Sequence, residues 1–343
     1  MKGGASPTRS LESYRPSLPD HEAMVTWLAS DCVVSSSGAV RSWVSPDNTG
    51  YDYPEVAGLW LSFVSLESRF VDRTRIDAVA QWLDDLVRRD GGVGRDGRLY
   101  LFDSAVALAG LVAHARAFTT DVHGDAMRRL HGFATDAVLA GKACEPAVGE
   151  GESHWSLCFG SHLLKVAVAL QRYDDLEGGA SADGPANALV ERLLPLFDGE
   201  RFRACPASDS SYQHGFLYAL EGLAWLQHRG VGDFERVLDA GACWLASVQT
   251  SGGGVPAFAG PGGCHGEPRA DVVAQAVRLW TLLDATRWAD NIQLGLRFLA
   301  ALQDPTGGIR YTRCSQDVNV WVSLFAAQAQ AWVEHGADVS RIL

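Results

Sequence analysis

Two stretches of this sequence repeat one spacing of chemically capable side chains. His214, Tyr218 and Glu221 stand at i, i+4 and i+7, and Asp271, Gln275 and Arg278 do the same 57 residues later. Residues at those offsets fall along one stripe of an α-helix. If the two helices are neighbours in register, His214 meets Asp271, Tyr218 meets Gln275 and Glu221 meets Arg278. Six polar side chains in otherwise apolar segments are costly to bury, so each needs a partner or a wet cavity. The chemistry such a set offers is acid–base. His214 serves as a general base with Asp271 as its orienting or acidic partner, and Tyr218 donates a proton or hydrogen-bonds a substrate hydroxyl. Gln275 and Arg278 bind substrate or stabilise charge. The competing reading is a structural network between helices, strongest for Glu221 and Arg278, since a deep charge pair neutralises itself. Asp271 also has the alternative of a plain helix cap.

The same ring of helix starts adds Glu55, Asp103 and Asp317, with Tyr53, Asn319 and Trp321 beside them. Several carboxylates round one opening suit proton transfer to and from a neutral polyol, with Glu55, Asp103 and Asp317 holding hydroxyls. Capping explains any one of them, but capping accepts Ser, Thr or Asn equally well. Trp43, Tyr51, Tyr53, Trp60 and Trp321 offer platforms for a sugar face or a cationic intermediate, whereas core packing accounts for at least half of the 11 Trp.

These residues need elements to hold them. Apolar helices begin near Glu55, Asp103, Cys158, His214, Asp271 and Asp317, at spacings of 48, 55, 56, 57 and 46 residues. Each follows a more amphipathic helix and a Gly-rich loop. The amphipathic set reads as 20–30, with Asp20 as N-cap, then 71–89, 121–140, 186–198, 232–249 and 288–303. The segments 103–115, 213–226 and 317–332 are apolar nearly all round and must be buried on most faces. A period near fifty with two helices per unit marks stacked helical hairpins. Six hairpins fill the chain, which predicts an all-α (α/α)6 toroid closed as a ring, inner helices round a cavity and outer helices round them. The expected organisation is a loose arm over 1–18 and a single toroid domain over 19–343, with 174–186 as a disordered insertion.

Composition excludes several classes. A net charge of −12 and only 29 Lys and Arg, nowhere clustered, leave no footprint for nucleic acid or an anionic membrane. The N-terminus lacks the apolar core of a secretory signal, and no apolar run reads as a membrane span. Seven cysteines without tight pairing argue against structural disulfides. The expectation is a soluble cytoplasmic protein, its oligomeric state left open. No phosphate-binding glycine motif or GxSxG elbow is present.

Three resemblances refine this. Trp244-Leu-Ala-Ser-Val-Gln249 before Gly252, and Phe298-Leu-Ala-Ala-Leu-Gln303 before Gly307, resemble the QW repeat of triterpene cyclases and prenyltransferase β-subunits. Val255 and Ile309 replace its closing Trp, and the DxDD acid motif is absent. The segments 51–55, 102–103, 214–222, 271–278 and 317–321 look like bacterial toroid proteins of polysaccharide and natural-product biosynthesis. The fold relatives of that group include sugar epimerases, isomerases and polysaccharide lyases. Cys264-His265-Gly266 resembles the CHG of lanthionine cyclases, with Cys158 standing for the first cysteine. That likeness implies a zinc site of Cys158, Cys264 and His265, with His214 within reach.

The reading that follows is a biosynthetic enzyme working without a cofactor on a small-molecule or oligosaccharide substrate. It performs epimerisation, isomerisation or elimination by acid–base chemistry. The alternatives are a cyclase, by zinc-dependent thiol addition or carbocation chemistry, and a non-catalytic toroid that binds a glycan or peptide.

Overall fold

The computed structural model describes residues 18–47, 50–65, 71–95, 97–146, 155–179 and 183–342. Apart from Leu18, the N-terminal arm expected over 1–18 lies outside them, as do 180–182 of the expected insertion. The flanks of that insertion are helical.

Twelve α-helices alternate between two rings among the described residues. The outer ring is α1 (His21–Leu28), α3 (Arg73–Leu86), α5 (Gly124–Ala140), α7 (Asp183–Leu193), α9 (Glu235–Val248) and α11 (Ala289–Ala300). The inner ring is α2 (Pro54–Val64), α4 (Leu101–Phe118), α6 (Val166–Leu176), α8 (Gln213–His228), α10 (Ala270–Asp284) and α12 (Val320–His335). Each inner helix touches the next, and α12 returns to touch α2, so the ring is closed.

The amphipathic outer helices bury one stripe. In α3 this is Ile76, Val79, Ala80 and Leu83, while every described residue of α2 is buried. Asp20 caps α1, accepting from the Ala23 amide at 3.0 Å. Helix α4 is 18 residues long with a mean hydropathy of 1.3, apolar enough to cross a membrane by length and composition. The expectation that no stretch reaches that size fails here, because an inner helix covered by neighbours on all sides needs the same composition. Its window is 67% buried within the ring. Small residues let α2 and α4 approach backbone to backbone: a Cβ on Gly110 would lie 2.6 Å from the Gly58 carbonyl oxygen.

Among the described residues, nine short strands absent from the sequence reading form three three-stranded sheets at the helix N-termini. They are β1 (Trp43–Val44), β2 (Gly94–Arg95), β3 (Arg98–Tyr100), β4 (Cys144–Glu145), β5 (Ser211–Tyr212), β6 (Phe258–Gly260), β7 (Gly263–His265), β8 (Ile309–Arg310) and β9 (Val318–Asn319). The orders are β1-β9-β8, β2-β3-β4 and β5-β6-β7, all antiparallel. The first sheet closes the ring, with Trp43 opposite Asn319 and Val44 opposite Val318.

Two inner helices start later than the sequence implied. Cys158 precedes a 3₁₀ turn, Ser161–Lys165, that leads into α6. Asp317 precedes β9, since the chain pairs with β1 before α12 begins.

The inner helices enter in register. Glu55, Phe102, His162, His214, Asp271 and Trp321 are each the second residue of their helix or leading 3₁₀ turn. Seven positions on lie Ser62, Ala109, Ala169, Glu221, Arg278 and Gln328. The stripes seen in α8 and α10 are two staves of this barrel.

Candidate active site

The N-terminal ends of the inner helices and the sheets above them enclose a cavity of about 910 Å³. His214, on the second residue of α8, lines it and is 4% exposed. Its Nδ1 lies 2.6 Å from Oε1 of Gln275 and 3.6 Å from Oδ2 of Asp271. A carbonyl and a carboxylate both beside Nδ1 favour the proton there, which makes Nε2 the basic nitrogen of the neutral ring. Burial lowers the His214 pKa, and the nearby Asp271 charge opposes that shift only in part.

Asp271 does not line the cavity and is fully buried. It accepts from Arg269 at 2.6 and 3.2 Å and from the Val272 amide at 2.8 Å. Arg269 covers it and takes its place on the cavity wall. Asp271 therefore holds Arg269 and faces His214 from behind, the position of an orienting partner. The expected pairing of Tyr218 with Gln275 is likewise replaced, since the Gln275 amide rises one turn to His214.

Across the ring, α2 and α4 bring two carboxyls to the cavity. Glu55 accepts a hydrogen bond from the Tyr53 hydroxyl, and the Tyr218 hydroxyl approaches it from below. Burial raises the Glu55 pKa against the effect of the Tyr53 bond. Asp103, 4% exposed, has Oδ2 buried without a hydrogen-bond partner, 4.0 Å from the Arg95 guanidinium. Burial, then the Glu55 charge, pushes its pKa up to about 8. Two carboxyls this close compete for one proton, and the pair keeps it on Asp103 near neutrality.

Tyr53, Glu55, Asp103, His214 and Trp321 thus come together on one cavity, with Gln275 directly behind His214. Trp321 sits edge-on to Tyr53 and Tyr311, at 6.5 and 5.9 Å between ring centres. Other expected residues do not reach it. Tyr218 lies beneath the cavity, its ring 4.4 Å from that of His214, and with Lys165 borders a separate void of about 20 Å³. Arg278 is fully buried below, donating to Glu221 and, at 2.8 Å, to Gln328. Lys165 donates to the other Glu221 oxygen at 2.8 Å, so one carboxylate bridges two cations in a buried layer beneath the cavity. Asn319 caps α12, accepting from Val322 at 3.1 Å. Asp317 lies outside the cavity lining, its carbonyl bonded to the Tyr311 amide at 3.0 Å and its own amide to Ser315.

The zinc set does not assemble. Cys158 lines the cavity beside Cys205, and burial with that neighbour pushes its thiol up to about 11. Cys264 and His265 stand exposed on β7. Among the described residues no group of three His, Cys, Asp or Glu side chains is placed to hold a metal ion.

Sequence reasoning missed Arg95 and Arg269. Arg95 leaves a Gly-rich loop with no periodicity, and its guanidinium stands 4.9 to 5.7 Å from the rings of Tyr51, Tyr53 and Tyr100. Arg269 carried a readable signal: a cation at a helix N-terminus opposes the dipole and asks for a partner, which Asp271 supplies.

Solved structures share this architecture. A cellobiose 2-epimerase from Bacillus thermoamylovorans superposes with a TM-score of 0.68 at 12% identity, covering 88% of this chain and 95% of that one. The chain is an (α/α)6 toroid. An alpha-amylase from Clostridium perfringens gives 0.65 at 11% identity over 90% and 96% of the two chains. An unsaturated glucuronyl hydrolase from Bacillus sp. GL1 gives 0.62 at 13% identity over 93% and 96%. No protein-family model matches the sequence, and no curated protein does. Identities this low establish the toroid fold and leave the chemistry to the site.

Proposed function

We propose that this toroid is an enzyme that moves protons on a carbohydrate held in the cavity. One observation carries the reading: a buried imidazole on α8, lowered by burial, stands across the ring from a buried carboxyl pair on α2 and α4 in which Asp103 holds a proton. His214 Nε2 takes a proton from a carbon made acidic by a neighbouring carbonyl or carboxylate. Asp103, in its pair with Glu55, gives a proton to the substrate oxygen that gains charge or departs. Environments that push acid and base apart in this way assign the two roles. Arg95 lies beside the acid and stabilises developing negative charge. The outcome is epimerisation, isomerisation or elimination, and sugar-acting enzymes among the fold neighbours agree with a carbohydrate substrate.

Neither form of cyclase is favoured. The thiol-addition form lacks an assembled zinc set, and a carbocation would meet two guanidiniums on the cavity wall. A purely binding toroid gives no reason for a raised Asp103 carboxyl to share the cavity with a lowered His214. Glycoside hydrolysis is a second reading, favoured by the neighbouring carboxyls Glu55 and Asp103. Incubation with mono- and disaccharides in D₂O, followed by proton NMR, separates these. Deuterium at a sugar carbon supports the proposal. Release of a reducing sugar with neither carbon-bound deuterium nor a new alkene signal supports hydrolysis and overturns it.

A further inference from the structure

At the opposite end of the ring from the acid–base groups, the C-terminal ends of α2, α4 and α6 meet the 3₁₀ turn Val339–Arg341. A pocket of about 260 Å³ opens between them. Its lining is three arginines (Arg116, Arg172 and Arg341), three serines (Ser62, Ser65 and Ser340) and three apolar residues of α4. Among the described residues no carboxylate shares that lining.

Arg172 sets the character of the pocket. It is 8% exposed, and its guanidinium donates to the carbonyls of Ser340 and Ile342 at 2.8 and 2.9 Å. Carbonyls satisfy its hydrogen bonds and leave its charge uncompensated, which is costly in a buried site. Among the described residues no carboxylate pairs with it, and the Asp338 charge acts on it only from a distance. Burial, then the neighbouring Arg116 charge, lowers its pKa to about 10. Arg116 donates to the Arg172 carbonyl at 2.8 Å and lies 3.8 Å from Asp175, a carboxylate that Arg229 already holds at 2.6 Å. Arg341 stands 3.6 Å from Asp338.

A cation in the last turn of α4 suits the carbonyl end of that helix, so Arg116 alone would need no ligand. Arg172 is not in the last turn of α6, and that account does not reach it. Ser65 gives an independent sign. It lines the pocket at 8% exposure, and its buried hydroxyl has no hydrogen-bond partner. A buried polar group left in that state calls for an explanation, and an occupant of the pocket supplies one.

We propose that Arg116, Arg172 and Arg341 form an anion-binding site for a phosphate group, either the free ion or a small phosphate monoester. Guanidiniums offer a tetrahedral oxyanion parallel pairs of N–H donors, and serine hydroxyls complete its shell. The bound anion neutralises the charge that the fold leaves buried. The site is separate from the acid–base cavity and independent of the carbohydrate reading.

The test is isothermal titration of the full chain with inorganic phosphate and with glycerol phosphate, in a buffer free of other oxyanions. One saturable site per chain is expected. Arg116→Gln should weaken it about tenfold or more, and Ser65→Ala about fivefold. Arg95→Gln, in the acid–base cavity, should leave the affinity unchanged. Phosphate at saturation should raise the melting temperature of the wild type more than that of Arg116→Gln. If Arg116→Gln folds poorly, Arg341→Gln removes a half-exposed member of the cluster and should show the same loss. Tighter binding of glycerol phosphate identifies an ester as the ligand, and equal affinity the free ion. Affinity lost in Arg95→Gln but kept in Arg116→Gln and Arg341→Gln would place the phosphate in the acid–base cavity and overturn the proposal. Absence of saturable binding by both probes would also overturn it, and neither result touches the carbohydrate reading.

Discussion

The His214 Nδ1 atom lies 2.6 Å from the Gln275 amide oxygen, closer than the 3.6 Å to Asp271. The neutral amide, more than the carboxylate, fixes the imidazole's tautomer. Gln275→Leu should therefore lower kcat about 10- to 100-fold with KM little changed, because an outer partner of this kind orients the base without touching substrate. Gln275→Glu should restore much of the rate and raise the pKa of the acidic limb. A Gln275→Leu enzyme with wild-type kcat would show that the bond is packing alone.

The two pKa directions give a bell. Burial lowers His214, so the base stays unprotonated below the ordinary histidine range and the acidic limb lies below it. Asp103 is raised to about 8, so the acid is lost and activity falls as pH passes that value. Asp103→Asn should abolish the alkaline limb along with most activity, checked by the pH profile of residual turnover.

The same carboxyl makes a stability prediction of fixed sign. Folded Asp103 holds its proton up to about 8, while the unfolded chain releases it near 3.8. Between those values the folded state binds more protons, so stability falls as pH rises through the window. Asp103→Asn should flatten that fall, giving a higher melting temperature than wild type near pH 8 and little difference near pH 4. Parallel melting curves for the two proteins would contradict the assignment.

Below the cavity, Glu221 answers both Lys165 and Arg278. Removing it leaves two buried cations facing each other, and Lys165 is already lowered to about 8 by burial. Glu221→Gln should cost about 3–5 kcal/mol of stability in denaturant unfolding. A cost below about 1 kcal/mol would mean that water reaches this layer.

The backbone contact between α2 and α4 makes a similar claim about packing. Gly110→Ala places a methyl against the Gly58 carbonyl and should destabilise the ring by about 1–3 kcal/mol. Gly124→Ala, with nothing near its Cβ, should be neutral or mildly stabilising.

The ring itself was legible in the sequence because it is built from long periodic elements. The fifty-residue spacing of apolar helices and the i, i+4, i+7 stripes of α8 and α10 follow from helix geometry, and they placed His214 beside Asp271 and Glu221 beside Arg278. The sheets were not legible. Strands of two or three residues inside Gly-rich loops carry no periodicity, and their pairing partners lie far along the chain, as with Trp43 and Asn319. That loss propagated to the site. Arg95 and Phe258 are positioned by strands, so neither entered the expected set. The sequence places a helix start at Asp317, whereas the chain there enters β9, and Asn319 pairs with Trp43 and caps α12. Depth was the other blind spot: side chains on one stripe share a face, but Tyr218 and Arg278 sit below the floor while His214 stands above it.

The central claim is proton transfer between His214 and the Asp103–Glu55 pair across the cavity. The most direct measurement is solvent-deuterium incorporation into a converted sugar by wild type, His214→Ala and Asp103→Asn. The account predicts carbon-bound deuterium with wild type, its loss by about 100-fold or more in both variants, and melting temperatures that show both fold. Wild-type rates of incorporation in His214→Ala would contradict it.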